Sequence, residues 1–199
     1  MRLRVLSICL VLTFLTTACS SSANNASSAT SKFDILQFFS GRQSNTITRT
    51  YRSDKEQATF VFEQIIKAIE SNDSVALKEL FSVSTVTSVD GFEEDMNALM
   101  DFYEGEMVSY KQFGPGTHAV KEGSIQRKEM FASFDIITTL ADYRLAIRFF
   151  TVDSADPENL GVYSLYIIKA ENSNPDSAYW GSDEWDAWNV GINIEKHTN

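Results

Sequence analysis

The sequence predicts an α+β fold in which N-terminal helices pack on one face of a curved antiparallel sheet. Three observations carry this. Apolar residues recur at helical spacing up to about Tyr103. From Met107 onward the pattern changes to alternation and to runs rich in Phe, Ile, Val and Tyr. The connections between those runs are short enough for antiparallel pairing, which places helices first and a sheet afterwards.

The first helix is announced by Ser53-Asp54-Lys55-Glu56, a capping box in which the Ser53 hydroxyl meets the Glu56 amide and Glu56 reaches back. Ala58, Phe62, Ile65 and Ile69 then form a stripe that Val61, Ile66 and Ala68 widen. Asp73 is the expected cap of a second, short helix through Val75, Leu77, Leu80 and Phe81. A third is expected after Asp90, with Phe92, Met96, Leu99 and Tyr103 on one face and Gly105 ending it. The methionines there read as core filler.

Strands are expected at about 107–113, 124–140, 143–152 and 161–170, with a short one around 117–121 beyond a break at Gly114-Pro115-Gly116. The clearest hairpin takes Ala141-Asp142 as a two-residue turn. That register pairs Leu140 with Tyr143, Ile136 with Ile147 and Phe134 with Phe149, and sets Asp135 across from Arg148.

The 199 residues fit one domain with an attachment, and 43% hydrophobic with 22% charged residues excludes collagen, wholesale disorder and a multi-span membrane protein. A net charge of −10, from 17 basic against 27 acidic residues, argues against nucleic acid as a partner, since phosphate binding needs a basic footprint. With Cys9 and Cys19 the sole cysteines and His118 and His197 the sole histidines, a zinc centre is not expected. The acidic runs Asp153–Glu158 and Asp183–Asp186 lack EF-hand spacing and read as solvated loops rather than calcium sites. No cofactor motif is present, and nucleophile elbows, phosphate loops and dinucleotide fingerprints are missing from the sequence.

The N-terminus carries an address. Arg2 and Arg4 precede an apolar run, Val5 to Leu15, of about 11 residues, against roughly 20 for a spanning helix; small residues then lead to Cys19. Leu15-Thr16-Thr17-Ala18-Cys19 resembles the bacterial lipobox, which implies cleavage before Cys19 and a diacylglycerol group on its thiol. The departure from that motif is Thr16, three places before the cysteine, where Leu is usual; Leu15 stands one place further back. Cleavage would remove Arg2, Arg4 and Cys9, leaving 15 basic against 27 acidic residues and Cys19 as the lone cysteine. A lone cysteine forms no intramolecular disulfide, so the domain must be held by its core. The expected division is 1–18 signal peptide, 19–52 lipidated cysteine and flexible tether, 53–195 domain. Ser20–Ser31 reads SSSANNASSATS, too polar to fold, and a flexible tether of about 34 residues reaches about 30–35 Å. Phe33, Ile35, Leu36, Phe38 and Phe39 interrupt it, either as an element docking on the domain or as one that touches a partner or membrane.

The helices-then-sheet order resembles the nuclear-transport-factor-2-like (NTF2-like, cystatin-like) superfamily, which implies a cone with a cavity between helices and sheet. A closer resemblance, to uncharacterised lipoproteins of Gram-positive, largely anaerobic bacteria grouped as a domain of unknown function, is carried by particular residues. These are Ala76–Phe81, Tyr143-Arg144, Phe149–Asp153, Gly161–Leu165, Tyr179-Trp180-Gly181 and Trp185-Asp186, spread over about 55–195. That resemblance implies the anchor and the fold and transfers no active site.

The candidate binding residues are Tyr179, Trp180, Trp185 and Trp188, interleaved with Asp183, Glu184 and Asp186. Aromatic faces beside carboxylates suit a carbohydrate or protein contact; equally, these rings can cap the end of the sheet. No catalytic residue is assigned: Asp135 is accounted for by Arg148, and His118 is expected in an exposed loop. The expectation is a membrane-anchored, extracytoplasmic lipoprotein that binds a protein or small ligand without catalysis. The alternative is a hydrolase or isomerase using the cavity of an NTF2-like cone.

Overall fold

The computed structural model describes residues 53–173 and 189–195. Ser53 caps α1 (Asp54–Glu70) through the capping box, its hydroxyl accepting from the Glu56 amide at 3.2 Å while Glu56 accepts from the Ser53 amide at 2.9 Å. Asp73 caps α2 (Ser74–Leu80), accepting from the Ala76 amide at 2.9 Å. Val75, expected on the buried stripe, is exposed instead, while Leu77 and Leu80 are buried.

A six-residue helix, α3 (Val83–Ser88), lies where the sequence reading has a gap. Its composition, Val-Ser-Thr-Val-Thr-Ser, is poor in helix formers, and anchors outside it compensate. Ser82 caps it by accepting from the Thr85 amide at 3.1 Å, and the Ser82 amide donates to the Val162 carbonyl at 2.9 Å. Gly161, with φ +124°, permits that approach: a Cβ there would stand 2.8 Å from the Ser82 nitrogen. Then α4 (Phe92–Phe102) follows, its N-cap being Gly91 with φ +78° rather than Asp90. Phe92, Met96, Leu99 and Tyr103 are all buried as expected.

The sheet runs β1 (Met107–Glu122), β2 (Ile125–Thr138), β3 (Asp142–Asp153), β4 (Gly161–Lys169) and β5 (Gly191–Ile194), in that spatial order. The first four pair antiparallel; β5, which the sequence reading did not foresee, lies parallel to β4. Gly114-Pro115-Gly116 does not break β1. The strand passes through it with a bulge between Phe113 and Gly116, so the expected pieces at 107–113 and 117–121 are one element and His118 sits in a strand. Gly116 is required there because the Phe131 ring lies over its backbone, 1.8 Å from where a Cβ would stand.

The β2–β3 register corrects the sequence reading. Asp135 faces Arg144, Phe134 faces Leu145, Ile136 faces Tyr143 and Met130 faces Phe149, so every pairing is displaced by four residues from the expected one. The turn is Thr138-Thr139-Leu140-Ala141. An even displacement keeps the strand side chains on their expected face, so Phe134, Ile136, Ile147 and Phe149 are still all buried, but Leu140, expected beside Tyr143 on that face, falls in the turn and is exposed. The longer turn is favoured by Thr138, whose Oγ1 accepts from the Leu140 amide at 3.2 Å and the Ala141 amide at 3.0 Å. It also allows two ion pairs, Arg144 Nε to Asp135 at 2.8 Å and Arg148 Nε to Glu129 at 3.0 Å.

The core lies between the helices and one face of the sheet. Phe62 of α1 stacks on Phe134 of β2 with centroids 3.9 Å apart and planes 10° from parallel, and Tyr110 of β1 closes on Phe62 at 4.8 Å. Truncating a ring in this stack leaves a void that the neighbours cannot fill. Phe134→Ala is therefore expected to lower the unfolding free energy by about 3–5 kcal/mol in urea titration. Phe131→Ala, on the opposite, half-exposed face, should cost far less.

Candidate functional site

Cys19, the 33–39 segment, and Tyr179, Trp180, Trp185 and Trp188 lie outside the described residues. Among the residues that are described, the structure brings together a different place: an open groove of about 660 Å³ where the β2–β3 turn meets the end of β4 and the loop after α4. Its walls are built from the inside outward. Buried Tyr143, at the start of β3, stacks on Tyr103 with centroids 5.0 Å apart. Its hydroxyl accepts from the Glu104 amide at 2.8 Å and donates to the Phe102 carbonyl at 3.1 Å, pinning the end of α4 to the sheet. Burial pushes the Tyr143 hydroxyl above its usual range, so it stays protonated and able to donate.

The second wall is the turn itself. Thr138 Oγ1 lies 2.8 Å from the Glu104 carbonyl, the Thr139 amide donates to the Glu106 carbonyl at 3.0 Å, and the Glu106 amide donates to Thr139 Oγ1 at 3.1 Å. This contact needs Gly105, whose φ is +87°; a Cβ there would stand 2.7 Å from Thr139 Oγ1 and 2.9 Å from the Leu140 nitrogen. Gly105 thus joins loop to turn as well as following the helix. The third wall holds Lys169, Ala170 and Glu171, with the Lys169 amide donating to Glu195 Oε2 at 2.9 Å. Glu104, Asp142 and Glu171 line the groove, and Lys169 Nζ lies 3.8 Å from Glu104. Leu140 projects at the rim with 74% of its surface exposed.

This groove is lined mainly by polar and charged groups, with Leu140, Ala141 and Ala170 as its apolar surface, and its carboxylates outnumber its cations among the described residues. The sequence reading placed these residues in a strand end and a tight turn. The signal available was Leu140, an aliphatic residue between Thr139 and the polar end of the next strand, where a turn ordinarily carries a polar side chain.

The other sequence candidates are accounted for elsewhere. Asp135 is paired with Arg144, not Arg148, and Arg148 with Glu129. His118 is exposed, as expected, on β1 beside Glu129. Asp153 is buried and accepts from the amides of Ala155 at 3.2 Å and Asp156 at 3.0 Å and from Asn159 Nδ2 at 3.1 Å. Burial alone would raise its pKa, but these donors and Arg127 hold the carboxyl below the usual carboxylate range. Its oxygens serve its own loop. Among the described residues no cluster of three or more His, Cys, Asp or Glu side chains suits a metal ion, and no helix is long and apolar enough to cross a membrane.

Between α1 and the sheet the space is occupied by Phe62, Phe134 and Tyr110. Polar groups there pair with one another at the β1 side: Thr59 donates to Gln112 at 3.0 Å and Tyr110 to Glu63 at 2.9 Å. At the other end of α1, Asp54 accepts from Thr117 and Lys128, each at 2.6 Å, tying the helix start to the β1–β2 hairpin.

The fold and groove define an α+β domain of helices followed by an open, mostly antiparallel sheet. Residues 64–170 match the family described as Domain of unknown function (DUF5104), and the chain belongs to that family. No curated protein matches the chain.

Two predictions follow from this electrostatic and hydrogen-bonding architecture. Lys128 and then Thr117 hold the Asp54 carboxyl below its ordinary value, so its folded pKa lies under the unfolded one. Its stabilisation is full above about pH 4 and is lost as pH falls through the folded value. Urea midpoints measured from pH 7 to pH 3 should therefore drop less steeply below about pH 4 in Asp54→Asn than in wild type. Tyr143→Phe leaves the Glu104 amide and Phe102 carbonyl without their buried partner, and calorimetry should show a loss of about 1–3 kcal/mol.

Proposed function

We propose that this protein is a membrane-anchored, extracytoplasmic lipoprotein whose domain, NTF2-like in organisation, acts as a non-enzymatic binding module for a protein partner or small ligand. The observation that carries the reading is the boundary Leu15-Thr16-Thr17-Ala18-Cys19 followed by a polar run. That arrangement supplies a cleavage point, a thiol for lipid and a tether in succession. The polar composition of Ser20–Ser31 suits a tether rather than a packed element. The helices-first order and the bulged sheet support the NTF2-like comparison.

Two features support binding over catalysis. The rings of Phe62, Phe134 and Tyr110 fill the space where an enclosed reaction chamber would lie. The groove at the β2–β3 turn is open and carries an exposed aliphatic side chain at its rim.

The anchor is tested by Cys19→Ser. In detergent phase partition of cells producing the full chain, wild type should enter the detergent phase and the variant the aqueous phase or an uncleaved precursor band. A variant that partitions and migrates as wild type does overturns the lipoprotein reading.

A further inference from the structure

Three large aliphatic side chains are exposed at one end of the sheet. Leu140 in the β2–β3 turn is 74% exposed, Val108 at the first bulge of β1 is 66% exposed, and Ile137 is 50% exposed. The register makes them neighbours: Ser109 faces Ile137, and Val108 is the extra residue between the Met107 and Ser109 pairings. Single exposed aliphatics are ordinary, but a contiguous group beside a groove marks an interaction surface. Acids outnumber bases around it among the described residues. Glu104, Glu106, Asp142 and Glu171 stand around the patch and groove, Lys169 of the groove is held near Glu104, and beside Ile137 Arg144 is paired with Asp135, with Lys111 across from Asp135.

The place of this patch in the fold matters equally. Asp54, at the start of α1, is fixed to Thr117 and Lys128. Glu70, at the other end, accepts from the Met107 amide at 2.5 Å and the Tyr103 hydroxyl at 3.3 Å, beside the groove. A helix of 17 residues is about 25 Å long, so the groove end of α1 lies about that far from Asp54.

We infer that Val108, Ile137 and Leu140, with the acidic groove beside them, form the docking surface for a basic, amphipathic segment of a protein partner, with aliphatic side chains seated between cationic ones. The inference deepens the binding-module reading and rests on it. Charge decides the occupant. An anionic lipid surface would be repelled by this rim. A second copy would bring the same acidic rim against itself, since a two-fold contact places identical patches face to face. A cationic segment gains attraction from the rim while its aliphatic residues cover the patch.

The test uses the full, lipidated chain in phosphatidylcholine nanodiscs, with empty discs as reference. The probe is a fluorescein-labelled peptide alternating leucine and lysine, and its counterpart carries glutamate for lysine. Wild type should bind the lysine peptide and not the glutamate one. Leu140→Ser and Ile137→Ser should each weaken binding about tenfold without moving the thermal midpoint. Asp142→Asn with Glu171→Gln should weaken it and flatten its salt dependence. Val75→Ser with Glu93→Gln, an exposed aliphatic and an acid on the helices, should leave it unchanged. Three results overturn the proposal: no binding of the lysine peptide, equal weakening by the Val75/Glu93 control, or self-association of the free chain that Leu140→Ser abolishes. The Cys19→Ser partition result is read separately and is unaffected by any of these.

Discussion

The stack of Phe62 on Phe134 is the contact on which the rest of the domain depends, because it fixes α1 over β1 and β2. With α1 seated, Asp54 falls beside the β1–β2 hairpin and Glu70 beside the start of β1, so one rigid helix sets both ends of the molecule. Among the described residues no cysteine occurs, and the stability margin of a domain this size is small. Apolar burial along one helix face therefore has to supply what a disulfide supplies in many small exported domains.

The faces of the sheet were legible from sequence and the pairings were not, for a definite reason. Alternation has a period of two, so any even displacement leaves Phe134 and Phe149 pointing inward, and hydrophobic pattern cannot separate the alternatives. The decision fell to a threonine hydroxyl. Thr138 satisfies two amides of the four-residue turn, and the register it sets gives Asp135 and Glu129 separate arginines in place of one shared cross-strand pair. The helices with strong stripes and side-chain caps, α1 and α2, were legible to within a residue. In contrast, α3 was not, since Val83–Ser88 is helical through Ser82 and its contact with Val162, which is information held by a strand eighty residues away. The four residues of β5 are too few to show a period at all.

The groove was illegible for a related reason. Its residues come from the loop after α4, the β2–β3 turn and the end of β4, and Gly105 and Tyr143 bring them together by backbone contacts that leave no periodic trace. The aromatic cluster that stands out in sequence, Tyr179 to Trp188, lies outside the described residues.

The irregularities of β1 bear on a different matter. Among the described residues this strand is an edge of the sheet, and those of its backbone groups that point away from β2 are a template on which another chain's strand can grow. Two bulges and Pro115 divide that edge into short pieces with changed direction and a missing amide. An incoming flat strand meets one run of five residues and one of seven, set at different directions, in place of one continuous run. The protein is thereby protected from intermolecular sheet growth by the shape of its backbone, independently of its net charge, and that protection would persist at acidic pH or high salt, where charge repulsion between copies fades.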